Sequence, residues 1–329
     1  MKPGHAIGWK WSNNKMIPVS LLALVLLLVL IGLIYESRIS RQDAQRYPPP
    51  GRMVDIGGYR LHIHCTGHGG PAVILDAGLG DSGQVWARIQ QTLEDRIRVC
   101  RYDRAGLGWS DPGPSPRTYK QAAIELHELL NQVGETPPYI LVGHSAGVNT
   151  VRLFAEAYPE ETAGLVLIEP PILPQGVPPA LVAVLRAGRM GMNILARTGL
   201  IRLMGKYTRM SLLFGGAQPP IELSEGAGFL YRPQAIQAGL HEIAAIHESI
   251  RLVNETLRPN AWRGTPVVIL AAYRGNALPA TLSQELQSLA EHSTNGRVVP
   301  VKGSHFLHFE QPELVAQTIL EVADSSKQP

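Results

Sequence analysis

The segment that most constrains this chain is Gly143-His144-Ser145-Ala146-Gly147. It follows the apolar run Tyr-Ile-Leu-Val and precedes Val-Asn-Thr-Val-Arg-Leu-Phe-Ala-Glu-Ala-Tyr, which has helical spacing. A strand that turns straight into a helix puts the central serine in a strained backbone conformation. Side chains two residues to either side would clash there, so glycine is required at both places. The turn lifts the Ser145 hydroxyl clear of the sheet and aims the free N–H groups of a helix N-terminus at the same point. Ser145 is therefore a candidate nucleophile.

The surrounding pattern is strand and helix in alternation. Met53–Ile56 and Tyr59–Cys65 flank Gly57-Gly58, a hairpin signal. Further short apolar strands are expected at Ala72–Asp76, Ile97–Tyr102, Tyr139–Val142, Leu165–Ile168, Val267–Ala271 and Val298–Val301. Helices are expected at Tyr119–Val133, ending at Gly134, from the serine turn to about Tyr158, and from Glu310 onward. This rhythm predicts a mostly parallel sheet covered on both faces. Residues 170–264 break it with helix-like spacing and no clear strand, which reads as a helical cap. Arg186, Arg189, Arg197, Arg202, Lys206 and Arg209 fall in this stretch, and no acid occurs between Glu169 and Glu222. These cations are read either as a solvated face over apolar stripes or as a surface lying on anionic lipid.

Met16 to Tyr35 is uncharged throughout, and its 20 residues would span about 30 Å as a helix. The run ends in Ile-Tyr-Glu-Ser-Arg-Ile-Ser, without the small-x-small site of a cleaved signal peptide, so the favoured reading is a transmembrane anchor and the rival is a signal peptide. Lys2, Lys10 and Lys15 before it balance Arg38, Arg41 and Arg46 after it, so charge leaves its orientation open. Residues 36–50 are polar, end in three prolines, and read as a stiff spacer. The expected division is 1–15 tail, 16–35 anchor, 36–50 spacer, 51–170 first part of the core, 171–263 cap and 264–329 second part of the core. Thirty basic and 27 acidic residues give no reason to expect nucleic acid, and two cysteines cannot form a four-cysteine zinc site or a disulfide scaffold.

Four motifs stand in an order that resembles the α/β-hydrolases: Leu-Asp-Ala-Gly-Leu-Gly at 75–80, Tyr-Asp-Arg-Ala-Gly-Leu-Gly-Trp-Ser-Asp at 102–111, the serine turn at 143–147, and Gly-Ser-His-Phe-Leu-His-Phe-Glu-Gln-Pro-Glu at 303–313. Cys65-Thr66-Gly67 and Val99-Cys100-Arg101-Tyr102-Asp103 bring it nearest a membrane-anchored bacterial branch. The resemblance covers roughly residues 51–325. It implies an α/β-hydrolase fold with an eight-stranded, mostly parallel sheet, helices on both faces and a helical cap.

The resemblance also implies roles. His305 is the base in preference to His308, and His62, His64 and His144 are structural, with the His144 side chain pointing away from the site. The Leu79 and Ala146 N–H groups form the oxyanion hole. Asp103 and Arg104 brace loops. Many relatives carry the acid after the strand that follows the cap. Here no Asp or Glu occurs from Gly264 until Glu285, and Asn276 carries no charge. Glu169, at the tip of the preceding strand, takes that role instead, against the alternative of a salt bridge to the cap. Cys65 and Cys100 lie on strands that this fold makes neighbours, so they form either a disulfide, which implies an oxidising compartment, or two buried thiols. That pair tilts the reading towards an extracytoplasmic domain.

The expected activity is a serine hydrolase acting on a carboxylic ester with an apolar moiety, needing no metal or cofactor. The alternatives are an acyltransferase or perhydrolase using the same residues, and a catalytically silent binding protein.

Overall fold

The computed structural model describes residues 16–172, 179–208, 232–256, 258 and 261–327. Eight strands form one sheet: β1 (Arg52–Asp55), β2 (Arg60–Thr66), β3 (Ala72–Asp76), β4 (Val99–Tyr102), β5 (Tyr139–His144), β6 (Thr162–Ile168), β7 (Val267–Tyr273) and β8 (Gly296–Lys302). Their spatial order is β1-β2-β4-β3-β5-β6-β7-β8. The β1–β2 and β2–β4 pairs are antiparallel, and every later pair is parallel.

The central strands β3, β4 and β5 are buried at every residue, as expected for strands covered on both faces. Two apolar layers divide the core. Ile74, Leu141, Leu165 and Ile269 pack on one side with α3 (Tyr119–Val133) and α4 (Ala146–Ala157). Leu75, Val142, Val166 and Leu270 pack on the other with α2 (Ala87–Leu93) and the C-terminal helix (Pro312–Ser325). Helix α3 starts where the Thr118 side chain accepts from Gln121 N–H and stops at Gly134 in the left-handed conformation, as its sequence predicts.

Between β6 and β7 lie α5 (Pro179–Arg197), α6 (Leu200–Thr208) and α7 (Pro233–Thr256). The described part of the insert is these three helices with short turns and ends, and it contains no strand; Arg209 lies outside the described residues, as does the tail at 1–15. Helix α8 (Ala280–Ala290), which the sequence reading did not pick out, joins β7 to β8, and the helix that ends the described chain, Pro312–Ser325, is α9. Cys65 and Cys100 are register partners across β2 and β4 and are joined as a disulfide.

The N-terminal helix α1 runs from Met16 to Arg46, well past the apolar run. It is long and apolar enough to cross a membrane, and none of its apolar window is buried within the protein. Residues 36–46 are therefore not the spacer that their composition suggests. They continue the helix and dock on the cap. Arg202 of α6 donates from Nε and Nη2 to the Glu36 carboxylate at 2.9 and 2.7 Å, and from Nη1 to Asp43 Oδ2 at 2.6 Å. Polar residues at Glu36, Ser40 and Asp43 recur at helical spacing, so one face of the helix carries partners for the guanidinium.

Candidate active site

The site assembles where the parallel strands end. β3 ends at Asp76, whose register partner on β5 is Gly143, and β5 ends at His144, which pairs with Ile168 at the end of β6, so the loops after these strands rise from one edge of the sheet. Open parallel sheets bind ligands at this carboxyl edge.

Ser145 sits between β5 and α4 with φ 51° and ψ −118°. Its N–H donates to the Ile168 carbonyl at 2.9 Å, which ties the turn to β6. Both flanking glycines are required by close approach. A Cβ on Gly147 would lie 2.5 Å from the Ala77 carbonyl oxygen, and one on Gly143 would lie 2.7 Å from Val148 N. The first contact brings the start of α4 against the Ala-Gly-Leu-Gly loop. Ala146 opens that helix, so its N–H has no partner within the helix.

Glu169 follows β6 directly and shares the positive φ, at 52°; among the described residues only Arg263 joins these two outside glycine. Backbone strain of this kind collects where a side chain must be aimed. The Glu169 N–H donates to the Leu270 carbonyl, and its Oε1 accepts from the Ala272 N–H. Its Oε2 lies 3.3 Å from His305 Nδ1. The acid and the imidazole expected from the sequence are thus brought together, with Nε2 as the other ring nitrogen.

The His305 loop is held from both sides. Glu310 accepts from Ser304 N–H and Ser304 Oγ, each at 2.7 Å. His144 Nε2 donates to the His305 carbonyl at 2.8 Å, and the two rings lie 4.8 Å apart. The His144 side chain is buried and structural, but it does not point away from the site as the resemblance implied: its ring packs on His305 and supports that loop directly. Burial pushes the His144 pKa down to about 3 and that of His308 well below its ordinary value, so both rings are neutral. His308, the alternative base, is buried against Trp86, Phe309 and His144.

A buried polar cluster orders the loop that carries Leu79. Arg104 donates to the Ala77 and Gly78 carbonyls at 2.7 and 2.6 Å, to Asp76 Oδ1 at 2.6 Å, and to both oxygens of Glu242. Glu242, from α7, also accepts from the Gly80 N–H at 2.9 Å. The peptides on both sides of Leu79 are therefore clamped. The Tyr102 hydroxyl donates to Asp76 Oδ2 at 2.8 Å. Desolvation raises the Asp76 pKa despite Arg104. Desolvation likewise pushes nearby Asp81 up to about 6, with Arg104 opposing and Glu242 adding to the rise. The bracing role expected of Arg104 is correct in kind. Its partner Glu242 could not be found from sequence, because it lies 138 residues away on a helix of the insert.

Asp103 is the second brace. Its carboxylate accepts from the Gly83 and Trp109 N–H groups and faces His62 Nδ1 at 2.8 Å.

This arrangement defines a class: an enzyme of the sheet-edge type, with a serine on a strained turn after β5 and a histidine–carboxylate pair joining the loops after β6 and β8. A profile of the Alpha/beta hydrolase family matches residues 63–318, and the chain belongs to that family. It is 32% identical over 283 residues to an AB hydrolase superfamily protein of Gibberella zeae, covering 77% of this chain and 86% of that one. It is 34% identical over 116 residues to the protein YqjL of Bacillus subtilis, covering 35% of this chain and less than half (46%) of the relative. Among solved structures, a thermophilic esterase from Thermogutta terrifontis superposes with a TM-score of 0.64 at 22% identity, covering 84% of this chain and 98% of that one, a likeness of fold.

Proposed function

We propose that this enzyme is a membrane-anchored serine hydrolase that cleaves a carboxylic ester with an apolar moiety. The observation that carries the reading is the Glu169–His305 pair at 3.3 Å, on the same sheet edge as a serine held at φ 51°. Glu169 fixes His305 with Nδ1–H towards the carboxylate, which leaves Nε2 to take the Ser145 proton. Ser145 Oγ attacks the ester carbonyl. The Leu79 and Ala146 N–H groups stabilise the oxyanion. His305 returns the proton to the departing alcohol, then activates water to hydrolyse the acyl-enzyme. No step in this scheme calls for a metal or an organic cofactor. The exposed apolar helix α1 supports the anchor, and the Cys65–Cys100 disulfide supports an oxidising, extracytoplasmic setting for the domain.

The test is fluorophosphonate labelling of the full chain in detergent, with Ser145→Ala alongside, followed by a series of esters of increasing acyl length. Labelling and ester turnover that both vanish in the variant support the reading. A folded protein that neither labels nor turns over any ester overturns it and favours a binding role. Product analysis with added alcohol or peroxide separates hydrolysis from acyl transfer and perhydrolysis.

A further inference from the structure

Helices α5 and α6 meet at Thr198-Gly199, and this turn packs on α1 inside the apolar run. A Cβ on Gly32 would lie 2.6 Å from the Thr198 carbonyl oxygen, and one on Gly199 would lie 2.9 Å from the Tyr35 ring. Gly32 precedes the end of the run at Tyr35 by three residues, about 4.5 Å along the helix. Going on from the turn, α6 follows α1 away from the apolar run, and Arg202 closes on Glu36 and Asp43. Among the described residues of the insert, this turn is thus in contact with the apolar run of the anchor. Large apolar side chains flank it without cover: Ile194 is 49% exposed, Leu200 41%, Leu203 44% and Met204 57%. Arg197, one residue before the turn, is exposed, as are Arg38 and Arg41 of α1 beyond the apolar run.

We infer that the α5–α6 turn of the cap is inserted in the lipid bilayer, held there by the Arg202–Glu36–Asp43 clamp. The occupant of the apolar face is phospholipid. The face is continuous with the apolar surface of α1, and these exposed arginines suit anionic headgroups. Apolar residues on an interfacial helix bury into the boundary between headgroups and acyl chains, while the cations remain at the headgroups. The cap is then fixed at the membrane surface. This inference rests on the proposed anchor.

The experiment uses the full chain in nanodiscs containing anionic phospholipid. Single nitroxide labels are placed by Leu200→Cys, by Val25→Cys within the anchor, and by Gln287→Cys on exposed α8. The native cysteines are bonded to each other, so they do not take the label. Relaxation by oxygen and by a water-soluble nickel chelate reports depth. The expected result is that Leu200 resembles Val25, with preferential access to oxygen, and that Gln287 is open to the nickel chelate. Met204→Cys serves as a second position should Leu200→Cys fold poorly.

A Leu200 label as open to the nickel chelate as Gln287, with Val25 in lipid, overturns the insertion and leaves the anchor standing. Val25 open to the nickel chelate overturns both. Dipolar broadening between Leu200 labels would show a second copy on this face and overturn the lipid assignment. Arg202→Ala should move the Leu200 label towards water; an unchanged depth would refute the clamp.

Discussion

At the residue scale, Glu169 is the position on which the chemistry turns. In the proposed mechanism it serves as the acid, and it follows β6 at positive φ with its carboxylate 3.3 Å from His305 Nδ1. Glu169→Gln removes the charge that stabilises the imidazolium while keeping the side-chain shape. Turnover should fall about 10²–10⁴-fold with KM nearly unchanged. Steady-state kinetics on the best substrate from the ester series checks this, and a variant within a factor of a few of the parent would move the acid elsewhere. Gly147 presents a steric case. A methyl group there meets the backbone carbonyl oxygens of Ala77 and Asp76 at 2.5 and 2.7 Å. Neither can move without opening the turn, so Gly147→Ala should cost about 1–3 kcal/mol of stability. Denaturant unfolding gives the value, and fluorophosphonate labelling should fall with it.

At the element scale, the functional loop after β3 is ordered by helix α7 of the insert. Glu242 pairs with Arg104 and accepts from Gly80, so the insert and the loop that carries Leu79 share one buried charge cluster. Glu242→Ala would leave the Arg104 guanidinium with Asp76 as its remaining carboxylate. The expected loss is about 3–5 kcal/mol, the usual cost of removing one partner from a buried pair. Urea titrations of parent and variant measure it. Insensitivity to this change would mean that water reaches the cluster and solvates the arginine.

At the scale of the whole molecule, two features couple stability to environment. His144 and His308 are held neutral by burial, whereas the unfolded chain protonates them near pH 6.5. Their contribution to stability is present above pH 6.5 and is lost as pH falls towards their depressed folded values. Asp81 acts in the opposite direction. Its folded pKa of about 6 lies above the ordinary 3.8, so its contribution is full below 3.8 and is lost as pH rises through 6. Burial also lowers the His64 pKa and raises that of Asp76, so three imidazoles stand against two carboxylates between pH 7 and 5, and acidification should lower the melting temperature. His308→Gln should shrink that drop, which melting curves at pH 7 and pH 5 for parent and variant would reveal. The disulfide closes a loop between residues 35 apart in the chain and staples β2 to β4. Replacing both cysteines by serine should cost about 2–4 kcal/mol, read from urea unfolding under non-reducing conditions.

Local patterns in the sequence determined a good deal of this protein. The turn glycines, the short apolar strands and the capped helix α3 are each specified by neighbours within a few residues, because strain, alternation and capping are local physics. The same holds for Ser145, and the strand-end place of Glu169 could be read from the chain alone. Tertiary structure decided what depends on distant partners. Residues 36–46 have the composition of a spacer, yet Arg202, more than 150 positions away, makes them the outer turns of a docked helix. Glu242 carries no local signal and acquires a role through Arg104. His144 becomes a support for His305 because the fold stacks two loops 161 residues apart. Buried polar groups must find partners wherever the chain brings them, and sequence spacing does not disclose that meeting place.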